Sequence, residues 1–266
     1  MRIVVLIKPG TELDESDACA VEQALRLARR RIDVRVSVLT AGAAGCAQPL
    51  RAALALGADD GVHVLDDGLT ATDALALSRV LAAALRHLGF DLVLCGATSD
   101  APNLSALPAM VAERLGVPAL CHADSVFFSF EAAFEAFEAS EASEASEAFE
   151  SLEVKPAEEI VAIRESGTEA VELAAAAPVL VSVAERSTPP HYPPFPAIAE
   201  ARRKLVSTWT LDALGIEPES VRRLATATVV RNTVLCARAG TIVKAEDDPH
   251  AAAVQLVDFL TERHLI

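Results

Sequence analysis

Five short apolar runs alternate with longer amphipathic stretches over residues 2–122, and this alternation constrains the fold more than any other feature. Residues 2–7 (RIVVLI), 34–39, 61–65, 91–95 (DLVLC) and 117–122 each have the length of a buried strand. The first intervening stretch opens on an acidic start signal at residues 14–17, with Ser16 or Asp17 as the expected cap. It predicts a helix to about Arg30, with Val21, Ala24, Leu25 and Leu27 inward. A second helix ends at Leu56 before Gly57, and a third runs from Thr72 or Asp73 to Gly89. Strands alternating with helices predict an α/β, three-layer, doubly wound parallel sheet. Right-handed crossovers then gather the loops after Ile7, Thr40, Leu65 and Cys95 at one edge.

Residues 91–116 hold the first candidate ligand site. The strand ends at Gly96, which permits close approach of the backbone. A small polar loop follows, and Asn103 is placed to cap a helix whose Leu104, Leu107, Val111 and Leu115 recur at helical spacing. Ligands in open α/β sheets sit where strands end and helices begin, and helix amino-termini attract anions. Residues 96–107 are therefore a candidate nucleotide site; an ordinary strand–helix turn is the competing explanation. The glycine-rich turn at 41–45 is neither GxGxxG nor a P-loop, and tight packing explains it equally well.

Past residue 125 the alternation breaks. Residues 127–153 repeat Glu-Ala-Ser or Glu-Ala-Phe at a period near three, with no Lys or Arg from Glu131 to Glu153. Such a period drifts around a helix, and uncompensated glutamates repel one another. Residues 125–156 are therefore expected to be an acidic low-complexity insertion, a solvated and fraying helix or disordered. Apolar segments at 160–164 and 170–173 flank a hairpin-like turn at Gly167, and 179–183 is another buried-strand run. Residues 187–204 (STPPHYPPFPAIAEARRK) carry five prolines that hold the backbone extended before a helix from Ala197. A rigid stretch lowers the entropy cost of docking. Within it Phe195 is expected to stand exposed, whereas Tyr192 is expected to pack on its own domain. The main domain is expected at 1–124 and 157–205. An arm over 206–266 is expected to end in a helix capped by Asp248 and Pro249, with Ala253, Leu256, Phe259 and Leu260 inward, packing on another subunit.

A formal charge of −15 argues against a nucleic-acid partner or an anionic membrane surface. Residues 1–8 read as a strand rather than a signal peptide, and no apolar run spans a bilayer, so a cytoplasmic protein without membrane insertion is expected. The five cysteines are scattered without a CxxC pair, and the six histidines show no metal-ligand spacing.

Blocks across most of the chain resemble the β subunit of electron transfer flavoprotein: RIVVLIKP at 2–9, AVEQALRLA at 20–28, RAALALGADDGVHV at 51–64, DLVLCG at 91–96, AERLGVPAL at 112–120, and PVLVSVAERSTPPHYPPFPAIAEARRK at 178–204. The resemblance implies an adenine-nucleotide-hydrolase-like domain in a heterodimer with an α subunit that holds most of a shared FAD. It implies an electron carrier rather than an enzyme, passing electrons from a dehydrogenase toward a quinone-linked acceptor, with a structural AMP in this subunit. Positions that align with the family's AMP contacts are Leu6, Asp14, Asp17 and Ala41, with Gly96, Ser99, Asp100, Asn103, Leu104, Ser105, Ala106 and Leu107 on the candidate loop. Leu6 and Ala41 would act through their backbone groups. The proline-rich stretch aligns with the loop that docks the dehydrogenase, through Tyr192, Pro194, Phe195, Pro196 and Ile198. The chain departs from the family in a loop at 100–108 poorer in glycine and hydroxyl groups, in a shorter segment after Lys8, in Thr188-Pro189-Pro190 where the family has Asn-Glu-Pro, and in a Phe at 195 where leucine is usual. The alternative on the same architecture is a stand-alone adenine-nucleotide-binding module of the universal-stress type.

Overall fold

The computed structural model describes residues 1–69, 74–97, 105–129, 159–166, 169–225 and 248–263. In chain order the first elements are β1 (Arg2–Leu6), α1 (Glu15–Arg29), β2 (Arg35–Gly42), α2 (Ala47–Leu56), β3 (Asp60–Leu65), α3 (Ala74–Leu88), β4 (Leu92–Gly96) and α4 (Leu107–Leu115). They continue with β5 (Ala119–Ala123), β6 (Ser125–Phe128), β7 (Glu159–Ser166), β8 (Glu169–Ala176), β9 (Val179–Val183), α5 (Phe195–Ala201), β10 (Val206–Trp209) and α6 (Pro218–Ala225). A last helix, α7 (Pro249–Glu262), belongs to a separate compact unit.

Among the described residues a seven-stranded sheet has the order β10-β3-β2-β1-β4-β9-β5, every pair parallel. Alternate residues of its central strands point to opposite faces, which is why these runs are apolar throughout. Ile3 and Val5 face one core with α1 and α2; Val4 and Leu6 face the other with α3 and α4. The result is the expected three-layer α/β fold. The chain winds outward from β1 to β2 and β3, then returns to lay β4 on β1's other side. The crevice between the carboxyl ends of β1 and β4 is thus the point where the winding reverses.

α1 begins two or three residues earlier than a cap at Ser16 or Asp17 would place it. Asp14 is the cap, accepting from Ser16 N at 3.0 Å, while Ser16 and Asp17 lie inside the helix and are buried. Asp17 is unavailable as a cap because its carboxylate accepts from Lys8 N at 2.7 Å. α2 stops at Gly57, whose φ of 134° favours glycine.

Three expectations are corrected beyond β5. The segment assigned to the acidic insertion opens with a true strand: β6 pairs antiparallel with β7, and β7 with β8, in a second sheet. Val126 and Phe128 are buried with Ile160 and Ala162, and Arg26 of α1 stacks 5.5 Å from the Phe127 ring. Those aromatic side chains belong to a core, although the repeat surrounds them in sequence; residues 130–158 lie outside the described ones. The arm does not begin at 206, because β10 pairs in parallel with β3 as the sheet's edge strand and α6 packs Val221 into the second core. The proline-rich helix begins at Phe195 rather than Ala197, since Pro196 in the first turn costs no intrahelical bond.

In the separate unit, Asp248 caps α7 by accepting from His250 N and Ala251 N at 3.0 and 3.1 Å. Its Val254, Leu256, Val257 and Phe259 are exposed. No helix among the described residues is long and apolar enough to cross a membrane.

Candidate functional site

The crevice at the winding reversal is lined by Leu6, Ile7, Lys8 and Pro9 from β1 and its extension, Asp17 from α1, and Leu81 from α3. Cys95, Gly96, Leu107 and Pro108 close it from the β4–α4 side. Of the sequence-predicted residues, Leu6, Asp17, Gly96 and Leu107 therefore meet at one place. Asp14 stands one contact behind them, through Lys8. Ala41 is wholly buried in the second core. Ser105 and Ala106 are exposed in the turn before α4, which Ala106 enters without a side-chain cap. Ser99, Asp100, Asn103 and Leu104 lie outside the described residues.

Sequence reasoning missed Lys8, which organises the crevice. Its ammonium donates to Asp14 Oδ1 at 2.9 Å and to Ser16 Oγ at 2.5 Å, and lies 3.3 Å from Asp17 Oδ1. Its backbone N–H donates to the same Asp17. A lysine directly after a buried strand, followed by an Asp-Glu-Ser-Asp start signal, was the available clue. Asp17 is only 1 % exposed, and its Oδ1 has no aligned hydrogen-bond donor. Burial pushes its carboxyl up to about 6, against the pull of Lys8. Asp14 is also penalised by burial, but the Ser16 hydroxyl and the Lys8 ammonium hold it below the usual carboxylate range.

Gly96 brings these parts together. A Cβ there would stand 2.8 Å from both the Ser16 carbonyl carbon and Asp17 Oδ1, and closer still to the Ser16 hydroxyl. Only glycine lets the end of β4 lie against the first turn of α1. Burial raises the Cys95 thiol far above its ordinary range, so it lines the wall as a small apolar group, not a nucleophile. Among the described residues of the crevice no nucleophile is paired with a base. The crevice offers apolar walls, a buried carboxylate and a cation already committed to carboxylates.

The second feature is the proline-rich stretch. Tyr192 is 98 % exposed and Phe195 81 %, with Ile198, Pro194 and Pro196 also exposed. The exposure of Phe195 follows expectation. Tyr192 does not pack on its own domain, because the surrounding prolines keep the backbone extended away from it. Both ends of the stretch are fastened to the domain. On one side Thr188 Oγ1 donates to Gln23 Oε1 at 2.7 Å, and His191 Nδ1 contacts Glu22 Oε2. On the other, Arg51 donates to Ala201 O and Lys204 O, both at 2.8 Å, and Lys204 donates to Leu54 O and Ala58 O at the end of α2.

Residues 3–156 match the family model described as the electron transfer flavoprotein domain. A Mycobacterium tuberculosis protein named electron transfer flavoprotein subunit beta is 32 % identical over 260 residues, covering 96 % of this chain and 87 % of the relative. The corresponding subunit of Thermoanaerobacterium thermosaccharolyticum is 26 % identical, covering 98 % and 91 %. The caffeyl-CoA reductase-Etf complex subunit CarD of Acetobacterium woodii is 25 % identical, covering 96 % and 87 %.

Proposed function

The chain belongs to the electron transfer flavoprotein family as a β-subunit-like member, and on that premise we propose that it is the non-catalytic half of a heterodimeric electron carrier. An FAD held mainly by the α subunit supplies the redox chemistry when bound, between a donor dehydrogenase and a quinone-linked acceptor. The single observation that carries the reading is the exposed pair Tyr192 and Phe195, on a stretch fastened at both ends. Large exposed aromatics on a rigid backbone are what a docking surface needs, because little entropy is lost when they bind. Pro194, Pro196 and Ile198 complete that surface, which takes the donor through residues 187–204. The name of the Acetobacterium relative, which joins a reductase to an Etf complex, supports a partner oxidoreductase here too.

The crevice at β1 and β4, at the point where the winding reverses, is the place assigned to the adenosine part of AMP. Leu6, Leu81 and Leu107 offer apolar walls to a ring face, and Asp17 offers a buried acceptor to an amino or hydroxyl group. Asp14 and Asp17 repel a phosphate from the α1 side. A phosphate is therefore left to the α4 side, where Ser105 and Ala106 precede the helix and the backbone at Gly96 is close by; Ser99, Asn103, Leu104 and the backbone N–H of Asp100, which lie outside the described residues, complete the proposed contacts. Leu6 and Ala41 contribute through their backbones. The exposed Val254, Leu256, Val257 and Phe259 support α7 as the end of an arm, starting after residue 225, that packs on the α subunit.

Production together with an α subunit tests the whole reading. The expected product is a yellow one-to-one heterodimer that releases FAD and AMP on denaturation. A colourless chain that binds adenine nucleotide alone and never associates supports the stress-type module instead. Phe195→Ala should then weaken reduction of the heterodimer by its dehydrogenase; equal reduction by every candidate donor removes the docking assignment.

A further inference from the structure

The fastening of the proline-rich stretch to α1 has a role of its own. Gln23 is wholly buried, and its amide is committed at both ends: Nε2 donates to Val126 O at 2.6 Å, and Oε1 accepts from Thr188. Because Val126 O can only accept, the amide has one orientation, and its oxygen faces the Thr188 hydroxyl. One helical position earlier, Glu22 is 8 % exposed and is shared between His191 and Arg29, the latter at 3.2 Å. Cys19, a turn away on α1, donates to Glu185 O at 3.2 Å. Three neighbouring α1 side chains thus grip residues 185, 188 and 191. Proline fixes φ along the stretch but leaves its junctions with the domain free to swing. Without the grip, the stretch that carries Tyr192 and Phe195 would be held only at its far end, through Arg51 and Lys204.

We propose that Thr188 and His191 are positioning residues for partner docking. By holding Gln23 and Glu22 they set the direction in which Tyr192 and Phe195 project, and so the affinity for the donor dehydrogenase. This rests on the docking reading above. Neither residue touches a reacting group, so the maximal rate of electron delivery is independent of them. Loss of the grip leaves the stretch to be ordered at the moment of docking, at a cost of about 3- to 10-fold in affinity.

Tyr192 is the only tyrosine in the chain, so 15N-tyrosine labelling of the full chain gives one backbone resonance from the middle of the stretch. Its heteronuclear NOE should be high in the wild type, fall in Thr188→Val and His191→Leu, and return in Thr188→Ser and His191→Asn, which keep a polar group at the same position. In the heterodimer, Thr188→Val and His191→Leu should raise the KM for reduction by the donor dehydrogenase about 3- to 10-fold and leave kcat unchanged, with the conservative variants restoring KM. An unchanged NOE overturns the proposal. So does a loosened Tyr192 with an unchanged KM while Phe195→Ala raises it. If Phe195→Ala itself has no effect, the docking reading fails first, and the proposal falls with it.

Discussion

The crevice and the proline-rich stretch use the same sheet scaffold in opposite ways. At the carboxyl ends of β1 and β4 the chain buries charge: Asp17 is enclosed and answered by Lys8, and nothing larger than glycine fits at 96. Around residue 195 it exposes aromatic area, and every polar contact is withdrawn to the two ends of the stretch. A buried charge is stable only while its partners are complete, so the crevice is intolerant of change. An exposed ring contributes almost nothing to its own fold, so the stretch is free to serve a partner.

The contrast breaks most visibly at Gly96. Gly96→Ala places a methyl where the first turn of α1 already lies, and neither backbone can retreat without separating β4 from α1. A loss of about 2–3 kcal/mol is expected, measured as a lowered urea midpoint with an unchanged slope. If Gly96→Ala unfolds at the wild-type midpoint, the close packing of β4 on α1 is not what holds the crevice.

Asp17 sharpens the comparison through pH. Its folded carboxyl is raised to about 6 from an ordinary 3.8, so between those values the folded protein binds a proton that the unfolded chain has released. The stability it contributes is complete below about 4 and is lost as pH rises through about 6. Two units correspond to about 3 kcal/mol. Asp17→Asn cannot ionise, so wild type should lose about 2–3 kcal/mol relative to the variant between pH 4 and pH 7. Parallel unfolding free energies across that interval would remove the buried charge from the account.

Much of this was legible in the sequence, and the parts that were not share a cause. The alternation over residues 2–122 reports periodicity, a local property, and it pointed to a parallel sheet covered on both faces, without the strand order that makes the crevice beside Gly96 the point of reversal. Local signals could not choose Asp14 over Asp17 as the cap, because an Asp-Glu-Ser-Asp run offers several caps and only the distant Lys8 decides among them. Nor could they place β10 in the sheet, since a parallel edge strand is defined by a partner nearly 150 residues away, Val206 facing Gly61. β6 was hidden because its Phe127 and Phe128 run into a repeat that also contains phenylalanine. Tyr192 was misread because burial of an aromatic is the commoner outcome, and prolines restrain a backbone without showing which way it leaves the domain.

Between the two regions stands an exposed bracket of intermediate weight. Arg186 donates to both oxygens of Asp124, at 2.5 and 3.1 Å, and to Glu165 O at 2.8 Å, tying the small sheet to the end of β9. The Arg186 guanidinium holds the Asp124 carboxyl below its usual range. A lowered carboxyl stabilises above its unfolded value, and that stability is lost as pH falls through the folded one. Because Arg186 is exposed, Arg186→Gln should lower the urea midpoint only slightly at pH 7, and the loss should shrink as the solution is acidified. A cost that grows in acid would mean the bracket acts by something other than charge.

The smallest expected effect is the most informative. Tyr192 and Phe195 contribute little packing to their own domain, so Tyr192→Ala and Phe195→Ala should change the unfolding free energy by less than about 0.5 kcal/mol. The same Phe195→Ala that weakens reduction by the donor must therefore leave the urea transition where it was. A residue that costs the partner its grip and the fold nothing is held for binding alone. If Phe195→Ala instead lowers stability by as much as Gly96→Ala, the ring is packed in solution, and the two regions do not differ in the way their geometry indicates.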